Sequence, residues 1–328
     1  MNDHAARKFE DAPAVRGHTH LLYGLIGPSG SGKTYSALRL ATGMQRVCGG
    51  DIFVVDTENG RAKHYAEYFK FREVPFSAPF SSLDYIDVVN YCLSKGAATI
   101  IIDSLSHEHS GQGGALEWHE EEVRRLMKAW NVNEDKANIP AWGKPKAARR
   151  KLINVLTQAD VNIIACVRAK DKIKIGGGKV VQLGWMPDAG EEFVFELAAK
   201  SLLLPGAGGV PTWQSDQPGE KMMIKLPEYF RSIFSGRDGK PLDEEVGQKL
   251  AEWSVGPKVE PTKPLTTEQV EALVDALDVD SLEKLEAAYH VGREACKKAN
   301  DKAARDRLRA VYDVMKGAMK GAQREVIV

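Results

Sequence analysis

The sequence predicts an α/β fold: a mostly parallel sheet with flanking helices, followed by a small C-terminal helical module. Three observations lead there. Between residues 21 and 167, apolar runs of strand length alternate with helix-length segments. The first of these runs enters a glycine-rich turn that opens a helix. Further on, a proline-rich stretch around residue 260 is followed only by helical periodicity.

Taken in order, residues 1–17 are polar, lack the apolar segment of a secretory signal and read as an N-terminal tail. Leu21 to Ile26 reads as a buried strand and Tyr35 to Val47 as a helix. Asp51 to Asp56 is a second buried strand, Arg61 to Lys70 a helix, and Phe71 to Phe76 a short strand ending near Pro75. Ser81-Ser82-Leu83-Asp84 resembles a capping box opening a helix that runs to about Lys95. Ala97 to Asp103 is a third strand, and Gly114 to about Trp130 a long helix rich in Glu and Arg. After a polar loop, Pro145 suits the first position of a helix reaching about Ala159.

Asn162 to Val167 is the next buried strand. Ile173, Ile175, Val180 and Val181 flank Gly176-Gly177-Gly178 and read as a β-hairpin. Phe193 to Leu204 and Met222 to Leu226 look like further strands, and Asp243 to Trp253 like a helix. The domain therefore spans 18–255, a stiff Pro-rich linker 256–265, and a helical module 266–328. In that module Thr267 and Glu268 open one helix, and Leu282 to Lys298 forms another. The last helix sets Ala304, Leu308, Val311, Tyr312, Met315 and Met319 on one face.

A formal net charge of zero removes any global drive toward nucleic acid or membrane, so such binding must come from local basic patches. The four cysteines, Cys48, Cys92, Cys166 and Cys296, form no C-x-x-C pair. That argues against a zinc ribbon or a disulfide framework and fits a reducing cytoplasm. No apolar run approaches the length of a membrane span. Two H-x-H pairs, His18 with His20 and His107 with His109, have the two-residue spacing that puts side chains on one face of a strand. No third ligand stands at a characteristic spacing, so polar loop or site-lining histidines are the expected reading.

The densest signal is Gly27-Pro28-Ser29-Gly30-Ser31-Gly32-Lys33-Thr34, which fits G-x-x-x-x-G-K-[ST] at every fixed position. The glycines let the backbone curl so that its N–H groups and the helix N-terminus face an anion. Lys33 would reach the β- and γ-phosphates of ATP, and Thr34 would hold Mg²⁺ through its hydroxyl. Asp103, ending an apolar strand, is placed to support the metal at the open edge of the sheet. Glu58, in Asp56-Thr57-Glu58 after the second strand, is the candidate general base that orients a water.

With Val55-Asp56-Thr57-Glu58 and Ile100-Ile101-Ile102-Asp103-Ser104, the loop resembles the RecA family of recombination ATPases. The closer resemblance is to short phage-encoded RecA-like proteins described as AAA domains, a group that includes single-strand-annealing ATPases. The resemblance covers about residues 18–235. It implies a P-loop NTPase core of RecA-like type, Mg²⁺-dependent ATP hydrolysis, single-stranded DNA binding, assembly into a homo-oligomeric ring or filament, and a cytoplasmic location. By position it gives phosphate and metal binding to Lys33 and Thr34, water activation to Glu58 and metal support to Asp103. It sets Arg168 where the family has a polar γ-phosphate sensor, commonly an amide. Arg168 thus has two readings, sensor or DNA contact. Lys170 and Lys172 are candidates for reaching a neighbouring subunit's nucleotide.

Two basic groups are candidate DNA contacts: Lys144, Lys146, Arg149, Arg150 and Lys151 on a helix, and Lys170, Lys172, Lys174 and Lys179 about the glycine turn. Trp142 and Trp185 lie near them in sequence. The C-terminal helices have three readings: a surface for a single-strand-binding protein, a surface for DNA, or a plain oligomerisation or capping bundle. Competing readings are a helicase or loader-type DNA motor, which shares the core, and a P-loop kinase of a small molecule, which needs an arginine-rich lid that is not evident.

Overall fold

The computed structural model describes residues 17–176, 179–256, 265–299 and 301–325. The chain divides into two compact units, Met1–Pro257 and Lys258–Val328. The first holds strands β1 (Leu22–Gly27), β2 (Asp51–Asp56), β3 (Arg72–Pro75), β4 (Ala97–Asp103), β5 (Asn162–Gly176), β6 (Lys179–Pro187) and β7 (Ala199–Leu202). Its helices are α1 (Lys33–Cys48), α2 (Ser82–Ser94), α3 (Ser106–Ser110), α4 (Ala115–Trp130), α5 (Glu134–Ala141), α6 (Gly143–Gln158), α7 (Glu191–Glu196), α8 (Pro218–Lys221), α9 (Arg231–Phe234) and α10 (Glu244–Val255). The second unit is α11 (Thr267–Asp275), α12 (Leu282–Lys298) and α13 (Lys302–Glu325).

The sheet runs β3-β2-β4-β5-β1-β7, all parallel, with β6 antiparallel to the outer part of β5. Its strands are continuous apolar runs because both faces are covered, and alternate residues serve opposite cores. On one face lie Ile26, Val55, Ile100, Ile102 and Val167, under Tyr85 and Val89 of α2 and Leu152 and Leu156 of α6. On the other lie Leu25, Val54, Ile101 and Cys166, under Leu38, Leu40 and Met44 of α1 and Val246 and Leu250 of α10. α1 and α10 meet backbone to backbone. A Cβ on Gly43 would stand 2.0 Å from Glu244 O, and one on Gly247 2.0 Å from Leu40 O. The expected capping box is present, Ser81 and Asp84 each bonding the other's backbone N–H.

Several sequence expectations are corrected. Arg61 to Lys70 yields only a 3₁₀ turn, Arg61–Tyr65, because Tyr65, Phe69 and Phe71 turn inward against the core. The expected polar loop before Pro145 contains α5, capped by Asn133, and Pro145 is the third residue of α6 rather than the first. Phe193 to Leu204 divides into α7, which begins with two acids after Gly190, and β7. Met222 to Leu226 contributes one bridge, Lys200 to Lys225, and no strand. The tail to residue 16, the turn residues 177–178 and the linker from 257 to 264 lie outside the described residues.

The second unit has its own apolar centre of Val270, Leu277, Leu285, Cys296, Leu308 and Tyr312, packed by Val311, Met315 and Met319. The rings of Tyr289 and Tyr312 stack at 4.0 Å between α12 and α13.

Candidate functional site

The parallel strands deliver the motif residues to one edge of the sheet. β1 ends in the glycine-rich loop, β2 in Asp56 and β4 in Asp103. β5 lies between β1 and β4 and brings Arg168 level with Gly27. Ligands of open α/β sheets bind at such carboxyl ends, where neighbouring strands diverge in connection.

The loop is curled. Gly30 and Gly32 take left-handed φ of 76° and 91°, and a Cβ on Gly27 would stand 2.2 Å from Leu203 O. Gly32 begins α1 with no side-chain cap, which leaves the helix N-terminus open to an anion. Ser31 Oγ is buried without a hydrogen-bond partner. Lys33 is buried and folds back, its Nζ donating to Gly27 O at 2.8 Å and Pro28 O at 2.7 Å. Burial pushes its pKa down, against the pull of Cys166, Asp103 and Glu58. Thr34 Oγ1 donates to Asp103 Oδ2 at 2.5 Å. Burial raises the Asp103 pKa, and the Thr34 bond opposes that rise.

The acidic turn after β2 is shaped by Asp56, whose carboxylate accepts from the backbone N–H groups of Glu58 at 2.6 Å and Ala62 at 3.0 Å. Glu58 therefore projects into the cleft, nearly buried, between two arginines. Arg168 donates to its Oε1 through Nε at 2.8 Å and also through Nη2, and Arg61 Nη1 lies 3.0 Å from its Oε2. His107 Nδ1 lies 2.7 Å from Thr57 Oγ1, with the ring stacked on Phe80, and burial lowers its pKa. A cleft of about 350 Å³ lies among the loop, Tyr35, Tyr65, Glu58, Arg61 and Arg168.

The match to known families agrees with this geometry. A family model described as an AAA domain matches residues 19–198, more than half of the chain. The chain belongs to the AAA domain family. No curated protein matches it. The AAA domain is a nucleotide-binding ATPase domain, and the matched span contains the loop, Glu58, Asp103, Arg168 and the β5–β6 hairpin. The residues present fit nucleotide and Mg²⁺. A partnerless hydroxyl, an uncapped helix start and a lysine bonded only to loop carbonyls form an anion cradle, and Thr34 and Asp103 form a hard-oxygen pair beside it.

The fold sorts the remaining sequence candidates. Gly27 to Thr34, Glu58, Asp103 and Arg168 meet in one cleft edge. Arg149 does not belong with the exposed basic residues. It is 4 % exposed and bonds Glu108 of α3 through Nε and Nη2. Lys144 pairs with Glu122 at 2.8 Å and Lys146 with Glu192 at 3.8 Å, while Arg150 is exposed. Lys170 pairs with Asp188 at 2.8 Å, and Lys172 is exposed. The side chains of Lys174 and Lys179 lie outside the described residues. Trp142 stacks on His119 at 4.1 Å, and Trp185 packs on the core. His107 and His109 stand on α3, not on a strand, and bond different partners, Thr57 and Arg149.

Sequence reasoning did not single out Arg61, Tyr35, Tyr65 or a shaping role for Asp56. Arg61 had a signal in its three-residue spacing from Glu58. The two tyrosines had none beyond adjacency to the motifs. No described helix is long and apolar enough to cross a membrane.

Proposed function

We propose that this chain is a Mg²⁺-dependent ATPase that acts on single-stranded DNA in homologous recombination or strand annealing. In this reading it works in the cytoplasm as a homo-oligomeric ring or filament. The loop N–H groups and Lys33 bind the phosphates, Thr34 and Asp103 hold the metal, and Glu58 orients water for in-line attack. Mg²⁺, when bound, neutralises charge on the phosphate oxygens. Arg168 holds Glu58 before nucleotide arrives and turns to the γ-phosphate afterwards.

The observation that carries the DNA part of the reading is the continuity of β5. The strand that pairs with β1 up to Arg168 goes straight on from Ala169 into the antiparallel pairing with β6. A displacement of Arg168 is therefore delivered to Lys170 and Lys172 through one extended backbone, without a hinge. Basic side chains on such a hairpin suit a phosphate backbone without base readout.

The test is ATP turnover with and without single-stranded DNA, beside Lys33→Ala and Lys170→Ala/Lys172→Ala. Stimulation by DNA that is lost in the double variant, with basal turnover kept, supports the reading. Turnover blind to DNA of any kind removes the recombination role and leaves the ATPase. Strand-annealing and unwinding assays then separate annealing from a helicase or loader motor.

A further inference from the structure

The other end of β1 gathers a second group of ligand-type side chains. β1 is six residues long, so at about 3.3 Å per residue this group lies roughly 20 Å from the phosphate loop. His18 and His20 stand on the extended segment entering β1, their ring centroids 4.1 Å apart and near edge-to-face. Asp160 arrives from the turn between α6 and β5, with Oδ1 2.6 Å from His20 Nε2. One donor atom from each of the three lies within 4.8 Å of the others. The sequence offered the histidine pair without a third ligand, and the fold supplies it.

The frame around the three is fixed by backbone bonds. Thr19 N donates to Ser254 O at 2.8 Å, Leu21 N to Asn162 Oδ1 at 3.0 Å, and Ile163 N to Leu21 O at 2.7 Å. The histidine segment and the Asp160 turn are thus pinned to each other through Asn162, two residues beyond Asp160. A histidine–aspartate hydrogen bond accounts for His20 Nε2 alone. It gives no reason for the His18 ring to stand against that of His20.

We propose that His18, His20 and Asp160 form a binding site for a divalent transition-metal ion of the zinc type. Two imidazoles and one carboxylate are borderline N₂O donors, which favour Zn²⁺ or Co²⁺ over the hard Mg²⁺ that suits Thr34 and Asp103. Asp160 is 98 % exposed, so the remaining coordination positions face water. The ion replaces the His20–Asp160 hydrogen bond and clips the entry of β1 to the α6–β5 turn.

The test uses the full chain without an affinity tag and without nucleotide, titrated with Co²⁺ and followed by visible d–d absorption. One equivalent should develop the bands, Zn²⁺ should displace it, and Mg²⁺ should not. Asp160→Asn and His18→Ala should each weaken binding by about tenfold or more. Both positions are exposed, so neither variant endangers the fold. Zn²⁺ should also raise the thermal midpoint of the parent chain and not that of Asp160→Asn. Absence of the bands, affinity unchanged in both variants, or an intense thiolate charge-transfer band would each overturn the proposal.

Discussion

Replacing Arg168 by alanine measures how strongly the cleft restrains Glu58. Glu58 has a side chain 7 % exposed, with Arg168 on Oε1 and Arg61 on Oε2. A hydrogen bond to a charged group contributes about 1.5–3 kcal/mol. Arg168 is itself 36 % exposed, so solvent screening moves its share to about 1.5–2 kcal/mol. Arg61, 54 % exposed, still faces the carboxylate after the change. The loss therefore stays below the ~3–5 kcal/mol of a buried charge stripped of its partner. Glu58→Gln should cost a similar amount from the other side. If the two groups hold each other, the double variant should lose less than the sum of the singles, by about 1 kcal/mol or more. Equilibrium urea unfolding of the four proteins gives the coupling. Repeating it with a slowly hydrolysed ATP analogue should shrink the coupling, since the proposed mechanism gives the arginine the γ-phosphate as a second partner. Losses in the nucleotide-free proteins that add to within about 0.5 kcal/mol would refute the restraint.

Lys33→Ala should abolish binding of a fluorescent ATP analogue while leaving the thermal midpoint nearly unchanged, since Lys33 bonds only loop carbonyls. Asp103→Asn should lower Mg²⁺-dependent turnover on the order of a hundredfold, measured by phosphate release. The pH dependence has a definite sign. The native pKa of Asp103 is raised, so its protonated form favours the folded state. That contribution is present at low pH and disappears as pH rises from the unfolded aspartate range through the raised native value. Relative to Asp103→Asn, the parent chain should gain stability on acidification across that window while its Mg²⁺ affinity falls. Gly247→Ala should destabilise by about 1–3 kcal/mol in urea unfolding, because its methyl meets Leu40 O and drives α10 off α1.

The core was legible because each central strand is an apolar run bounded by turn residues, and β-branched side chains such as those of Val54, Val55, Ile100, Ile101 and Ile102 suit a doubly covered sheet. The cleft was legible where chemistry is tied to strand ends, as at Lys33, Thr34, Glu58 and Asp103. Misreadings arose where pattern alone does not choose between structures. Phe193 to Leu204 is short and apolar, and only the fold shows that its first part is helical. The row from Lys144 to Lys151 looked like one basic face, but helical spacing turns Arg149 inward to Glu108. Contacts across long sequence separations left no local trace, such as Asp160 with His20 or Arg168 with Glu58.

The continuous β5 strand also sets a spacing of charge. Alternate side chains of a strand share a face, so Arg168, Lys170 and Lys172 form a row at intervals of about 6.6 Å, just before the register shift at Ile173. The row is capped in sequence: Arg168 by Glu58, Lys170 by Asp188, and Lys172 exposed. The surface therefore grades from neutralised to free charge with distance from the cleft. Withdrawing the Glu58 cap would free charge only at Arg168, the inner end of the row, because Lys170 keeps its pair with Asp188. The two ends of the row, about 13 Å apart along the strand, therefore carry their charge under separate controls, the inner one set by Glu58 and the outer one open to solvent.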